Sequence, residues 1–277
     1  MDEWSLVLAA EGLAPKVWRG TEGFVVGVAP EVADQAIAVL DAYEHENRPA
    51  PPAGEETEPS ADSAPFRVAL SVSGGLLLFF SITGPRDPAV RWFERGSADA
   101  EQILLGEVWR TVTALSLHAD LGHVVANACI GALFLTAVCR ALGPGLGCAL
   151  FLLAGAGGNF ANALLHGSAH DSVGASTAVF GAVGLLGGLG VERRHRRGAR
   201  GRRAWVSVAA ALGLLAMLGT AGERVDLWAH LFGLAVGGLL GVPLGFAAHR
   251  RPVSGLQWLI GGVTLAVLLA CWALALR

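Results

Sequence analysis

The chain has 277 residues, 53% hydrophobic and only 16% charged, with 38 glycines, a mean hydropathy of +0.52 and a formal net charge of −3. A soluble domain of this size carries about 25% charged residues. The composition therefore excludes an ordinary globular protein and implies a chain that crosses a bilayer several times; nothing in it points to a nucleic-acid partner.

The first 47 residues read as a small cytoplasmic α/β domain. MDEWSLVLAAEGLAPK opens acidic and lacks the basic leader of a signal peptide, and Trp4 to Leu13 predicts a helix. GFVVGV predicts a short strand. Pro30 opens a second helix, in which Val32, Ala36, Val39, Leu40 and Tyr43 share one face. Forty-odd residues bury only a marginal core, so the domain is an appendage whose partner the sequence does not name. Residues 48–65, RPAPPAGEETEPSADSAP, contain five prolines and no core residues, which predicts a flexible linker.

Seven spanning helices are predicted next, at about 66–83, 119–139, 145–165, 174–191, 204–221, 227–247 and 255–276, each near the ~20 apolar residues that a crossing needs. The fourth is short and begins with polar residues. Cys129, Cys139, Cys148 and Cys271 all fall inside apolar runs, with neither metal-ligand spacing nor a disulfide framework. They read as buried thiols.

Basic residues collect in cytoplasmic loops. ERRHRRGARGRR follows the fourth helix, HRRP the sixth and Arg140 the second, whereas HGSAHDS after the third has no Lys or Arg and the loop after the fifth has only Arg224. The N-terminus is therefore expected in the cytoplasm and the C-terminus outside, with helices two, four and six all running inward. The first external loop, about 84–117, carries Arg86, Arg91, Arg95 and Arg110 beside Trp92, Phe93 and Trp109. That mixture suits a segment lying in the membrane interface.

This topology gathers polar side chains. Ser176 in SVGASTAVFGAVG starts helix four, His230 in DLWAHLFGLAVGGLLG starts helix six, and His123 and Asn127 in HADLGHVVAN share a face in the first turns of helix two. All four are expected at one shallow depth. Polar groups inside a span are costly and are paired or functional, although a lone serine can satisfy itself on its own helix backbone. Gly233, Gly237 and Gly241 follow His230 at +3, +7 and +11, and helix four offers Gly181, Gly184, Gly187 and Gly188. Such rows let helices approach closely, as a Ser–His hydrogen bond of about 2.6–3.2 Å requires. His230 can then act as base for Ser176, while the Ser176 N–H and the His123 and Asn127 side chains can face an oxyanion. Asp226, one turn before His230, suits a helix-start or solvent role. Without a buried carboxylate clearly available to orient His230, the arrangement reads as a dyad.

At these residues the sequence resembles the rhomboid family of intramembrane serine proteases over about residues 66–248. Trp109-Arg110 matches the family's WR pair, and His118, His123 and Asn127 match HxxxxHxxxN. Gly174 and Ser176 match GxSx, and Ala229, His230, Gly233 and Gly237 match AHxxGxxxG. The resemblance implies an all-α polytopic fold with a six-helix catalytic core, 66–248, and one additional C-terminal helix within 249–277. It implies a serine endopeptidase that cleaves peptide bonds in or near transmembrane segments of other membrane proteins. Ser176 and His230 would be catalytic, His123 and Asn127 would form the oxyanion site, and water would enter from the outer face. No metal or organic cofactor is expected.

His118 and Arg110 are expected to anchor the scaffold or loop. Two positions depart from the pattern. Thr177 replaces a small residue, which would tighten the local backbone, and Phe180 replaces a Tyr that packs on the histidine, keeping the stacking surface without the hydroxyl. The alternative reading is a catalytically inactive rhomboid-like protein that binds membrane clients. A transporter is disfavoured because no interrupted helices recur in two halves; HExxH is absent, and GxSxG is broken by Ala178. The Arg-rich, Gly/Ala-rich composition and the absence of an organelle-targeting segment favour a bacterial plasma membrane.

The topology is tested by reporter fusions. Alkaline phosphatase is expected to be active when inserted in the HGSAHDS loop and inactive in ERRHRRGARGRR, with a fluorescent-protein fusion giving the opposite pattern; reversed results would invert the orientation.

Overall fold

The computed structural model describes residues 3–20, 23–46, 63–87, 90–168, 170–196, 226–247 and 253–277. The predicted fifth span, 204–221, most of the predicted linker and much of the Arg-rich connection lie outside the described residues. The chain divides into two compact units, Met1–Ala61 and Asp62–Arg277.

In the first unit, helices α1 (Glu3–Ala10) and α2 (Ala33–Glu46) accompany an antiparallel hairpin of β1 (Lys16–Gly20) and β2 (Gly23–Gly27), in register Val17↔Val26 and Trp18↔Val25. Leu8, Leu13 and Ala36 form its small core, with Val26, Val28, Val32, Val39 and Leu40 packed against it. The predicted face of the second helix is thus the packed one, and the Tyr43 hydroxyl also donates to Glu3 across 2.5 Å. Strand β1 escaped the sequence reading because Val17 and Trp18 are both exposed and leave no buried alternation to detect.

The second unit is helical. It contains α3 (Ala64–Thr83), α7 (Leu121–Leu142), α8 (Pro144–His166), α9 (Ser176–Arg196), α10 (Leu227–Ala247) and α11 (Ser254–Ala275). Between α3 and α7 lie three short helices, α4 (Arg91–Gly96), α5 (Ala100–Leu104) and α6 (Arg110–Thr113), and strand β3 (Ala98–Asp99), which pairs with β4 (Asp171–Ser172). Five of the long helices are long and apolar enough to cross a membrane. In α9 the apolar part is the shorter Ser176–Val191 stretch. At 1.5 Å per residue its 16 residues span about 24 Å, less than the ~30 Å hydrocarbon layer.

Helices α7, α8 and α9 share a core of Val138, Leu142, Leu150, Ala154, Ala182 and Leu185. The α9–α10 contact is closer still and is made of backbone. A Cβ at Gly233 would collide with the Thr177 carbonyl, one at Gly237 with the Gly181 carbonyl, and one at Gly241 with the Leu185 carbonyl. From the other side, a Cβ at Gly184 would strike the Leu234 carbonyl. Of the predicted rows, Gly233, Gly237 and Gly241 interlock with the opposite stripe of Gly181, Gly184 and Gly188, whereas Gly187 takes no part in the contact among the described residues.

Helix α11 is keyed in at both ends. Gln257 is buried in the turn between α7 and α8, where its amide nitrogen donates to the Leu142 carbonyl at 2.9 Å and its oxygen accepts from the Leu146 N–H at 2.9 Å. At the other end, Trp272 Nε1 donates to Ser116 Oγ at 3.0 Å and its ring joins Phe79 and Trp92.

Gly237→Val is expected to lower the unfolding free energy in detergent by at least the ~1–3 kcal/mol of an overpacked core. A Cβ at Gly187 meets nothing within 4 Å among the described residues, and Gly187→Ala is expected to be neutral or slightly stabilising. Denaturant titration followed by circular dichroism distinguishes the two, and equal effects would remove the interlocked stripe as the cause.

Candidate active site

The loop before Ser176 is held on several sides. Asp171 and Ser172 pair with Asp99 and Ala98, and Arg86 forms a 2.6 Å ion pair with Asp171. The Ala100 N–H donates to the His170 carbonyl at 2.9 Å, and the Gly174 N–H to the Ala114 carbonyl at 2.9 Å. Gly174 adopts φ +133°, a conformation that L side chains rarely adopt. Helix α9 consequently starts at Ser176, two residues after the predicted start.

Ser176 and His230 meet. The Ser176 hydroxyl lies 2.7 Å from His230 Nε2, on the fourth residue of α10. Phe180, one turn after the serine, stacks on the His230 ring with centroids 4.7 Å apart and planes at 29°, as its position predicts. His230 is buried, and its Nδ1 has no hydrogen-bond partner among the described residues. With Nδ1 carrying the proton, Nε2 is free to accept from the serine. Thr177 is buried in the α9–α10 contact, its carbonyl against Gly233; the tightness expected at this position lies between the helices.

His123 and Asn127 stand on the first two turns of α7. The Asp120 carboxylate caps that helix, accepting the His123 N–H at 2.8 Å. A long 3.5 Å contact from the Ala119 N–H to His123 Nδ1 leaves the ring proton on Nε2. A Cβ at Gly174 would lie 2.8 Å from His123 Nε2 and 3.5 Å from Ser176 Oγ, so the absence of a side chain there admits the imidazole beside the serine. Asn127 is buried and its Nδ2 has no partner among the described residues. An unspent buried donor is costly unless something is meant to meet it.

The residues read as loop or scaffold anchors make the following contacts. Arg110 is 5% exposed; its Nε pairs with Glu107 at 2.6 Å, and Nη1 donates to the Glu94 and Ser97 carbonyls at 3.0 and 3.3 Å. Its guanidinium thereby ties α4 to α6. Trp109 packs beside Phe93, Leu117 and Trp272, with its Nε1 buried and unpartnered. His118 is fully buried, its Nδ1 at 3.3 Å from the Ser116 carbonyl and its Nε2 at 3.4 Å from the Ala175 N–H. It supports the residue next to the serine. Gly233 and Gly237 line the α10 contact described above.

Two features were not legible beforehand. Asn159 is buried and donates to the Thr111 carbonyl at 2.9 Å, joining α8 to α6. Asp226 caps α10, accepting the Ala229 N–H at 3.0 Å, as expected, but its other oxygen meets His170 Nε2 and Asn162 Nδ2, each at 2.6 Å. Burial pushes the Asp226 carboxyl up, and the Ala229, His170 and Asn162 hydrogen bonds together outweigh it and hold it below the usual range. The signal for both was two asparagines, GNFAN, inside an apolar span.

A family model described as Rhomboid domain matches residues 105–246, a stretch that contains every one of these site residues. The chain belongs to the rhomboid family. YdcA of Bacillus subtilis (strain 168), which carries a rhomboid-protease name, is 31% identical over 175 residues, 62% of this chain and 83% of YdcA. The rhomboid protease GluP of the same organism is 33% identical over 113 residues, 40% of this chain and 22% of GluP. RHOMBOID-like protein 9, chloroplastic, of Arabidopsis thaliana is 35% identical over 89 residues, covering 32% of this chain and 20% of that protein. This rhomboid is an integral membrane protein.

Burial, aided by the nearby His123, lowers the His118 pKa from 6.5 to about 3, against opposing contributions from the Ser116 carbonyl and Asp120. The folded protein therefore binds no proton there between those values while the unfolded chain does, so stability falls as pH drops from about 6.5 towards 3. His118→Gln is expected to flatten that part of the unfolding free energy against pH; an unchanged slope would assign it to other groups.

Proposed function

We propose that this protein is a serine endopeptidase that hydrolyses peptide bonds in or near transmembrane segments of other membrane proteins, using a Ser176–His230 dyad. The 2.7 Å contact between Ser176 Oγ and His230 Nε2 carries the reading. As Oγ attacks the scissile carbonyl carbon, Nε2 takes its proton; the tetrahedral intermediate then collapses, and Nε2–H protonates the leaving amine. Water repeats the sequence on the acyl-enzyme, with His230 again as base.

The negative oxygen of the intermediate needs fixed donors. The Ser176 N–H at the start of α9, His123 Nε2–H and Asn127 Nδ2–H are the candidates, and the unpartnered Asn127 amide supports that role. Each such donor is worth about 100- to 1,000-fold in rate. Among the described residues no acceptor meets His230 Nδ1, so none of them gives the imidazolium formed in each half-reaction a bonded carboxylate. The face of Phe180 offers cation–π support of about 0.5–2 kcal/mol instead. The serine lies at the end of its span away from the Arg-rich connection, consistent with water entry from the outer face of a bacterial plasma membrane. In this reading 66–248 is the catalytic core, the last helix is an addition, and the N-terminal 47 residues with their linker are a separate cytoplasmic module.

A fluorophosphonate probe is expected to label the purified protein, and Ser176→Ala and His230→Ala are expected to abolish labelling. Asn127→Ala is expected to lower cleavage of a model transmembrane substrate by about 100-fold. Labelling that survives Ser176→Ala would refute the nucleophile. A folded parent that neither labels nor cleaves would instead support a client-binding protein.

A further inference from the structure

We propose that Asp226, tied to Asn162 and His170, is a positioning residue that fixes the His230 helix against the serine loop. The inference rests on the dyad reading above. One carboxylate reaches both halves of the site. Through Oδ1 it accepts the Ala229 N–H at 3.0 Å, and its own carbonyl accepts the His230 N–H at 3.2 Å, so it holds the turn that carries the base. Through Oδ2 it takes His170 Nε2 and Asn162 Nδ2, each at 2.6 Å. His170 belongs to the serine loop, six residues before the nucleophile.

The network is directional. Asn162 Nδ2 and His170 Nε2 are 3.1 Å apart and both face the same oxygen. Each therefore donates to Asp226 rather than to the other, which requires the His170 proton on Nε2. His166 stacks on His170 at 3.9 Å and 13°, while its Nδ1 lies 3.0 Å from the Asn162 carbonyl. The His170 ring is thus clamped on its face as well as at its edge. Asn162 is 2% exposed, and water cannot readily replace a bond made there.

The glycine stripes set how closely α10 approaches α9, and their contacts are with α9 from Thr177 onward. The Asp226 tie links the end of α10 that carries His230 to the serine loop itself. From His170 the restraint passes through the β3–β4 pairing and the Gly174–Ala114 hydrogen bond to Ser176. A shift of about 1 Å in such a geometry costs on the order of 100-fold in rate.

The test separates the cap from the tie. Asp226→Ser keeps a good N-cap oxygen but cannot reach His170 and Asn162. It is expected to slow fluorophosphonate labelling of Ser176 about 10- to 100-fold, with thermal unfolding close to the parent. His170→Leu is expected to do the same, and His170→Gln, whose amide can donate to the same oxygen, is expected to recover most of the rate. The Asp226→Ser/His170→Leu double variant should be no slower than either single one. Parental labelling rates in Asp226→Ser, additive losses in the double variant, or equal losses in His170→Leu and His170→Gln would each overturn the proposal. Labelling of the parent, abolished by Ser176→Ala, keeps the dyad reading standing whichever result is obtained.

Discussion

The close approach of α9 and α10 is the constraint on which the site depends. Within a bilayer there is no water to expel between helices, and lipid tails are as apolar as leucine, so association relies on contact area and backbone proximity. Gly233, Gly237 and Gly241 against the carbonyls of Thr177, Gly181 and Leu185 supply that proximity. Once those backbones touch, side chains at the end of the stripe on the two helices must lie within hydrogen-bond reach. The Ser176–His230 contact is a product of packing before it is a feature of chemistry.

Two further devices keep that contact from drifting. The segment before Ser176 has little regular structure, yet strand pairing, the Arg86–Asp171 ion pair and the His118 ring restrain it. Arg110 and Thr113 in turn brace the interfacial helices that provide its partners, Thr113 by donating to the Gly96 carbonyl at 2.7 Å. Gln257 and Trp272 bind the last helix to the rim of the bundle, each by satisfying polar atoms that lipid could not. Most polar side chains inside this unit hold another segment in place. Among the described residues, two of the buried polar atoms left without a partner, Asn127 Nδ2 and His230 Nδ1, belong to the candidate site.

Much of this was legible in advance because membrane constraints are simple. A spanning helix needs a long apolar run, and five of the predicted spans coincide with long apolar helices to within about three residues at each end. Ser176, His230, His123 and Asn127 were legible because polar groups in such runs are rare, and helices read as running in one direction were expected to place them at one depth. Hairpin strand β1 and the Asn159 bond were not. The first buries too little for a pattern, and the second depends on which loop carbonyl lies opposite.

The sequence by itself determined the spanning segments, the glycine rows and the identity of the polar residues, because each follows from local composition and helical period. Asp226 shows where that reasoning stops. Its position before an apolar helix announces a cap, but its second oxygen is engaged by residues 56 and 64 positions away. Only the tertiary structure decides that pairing, since it requires α8, the serine loop and α10 to converge. The same holds for the Ser176–His230 pair: local sequence names both residues, and the 2.7 Å between them belongs to the packed backbone.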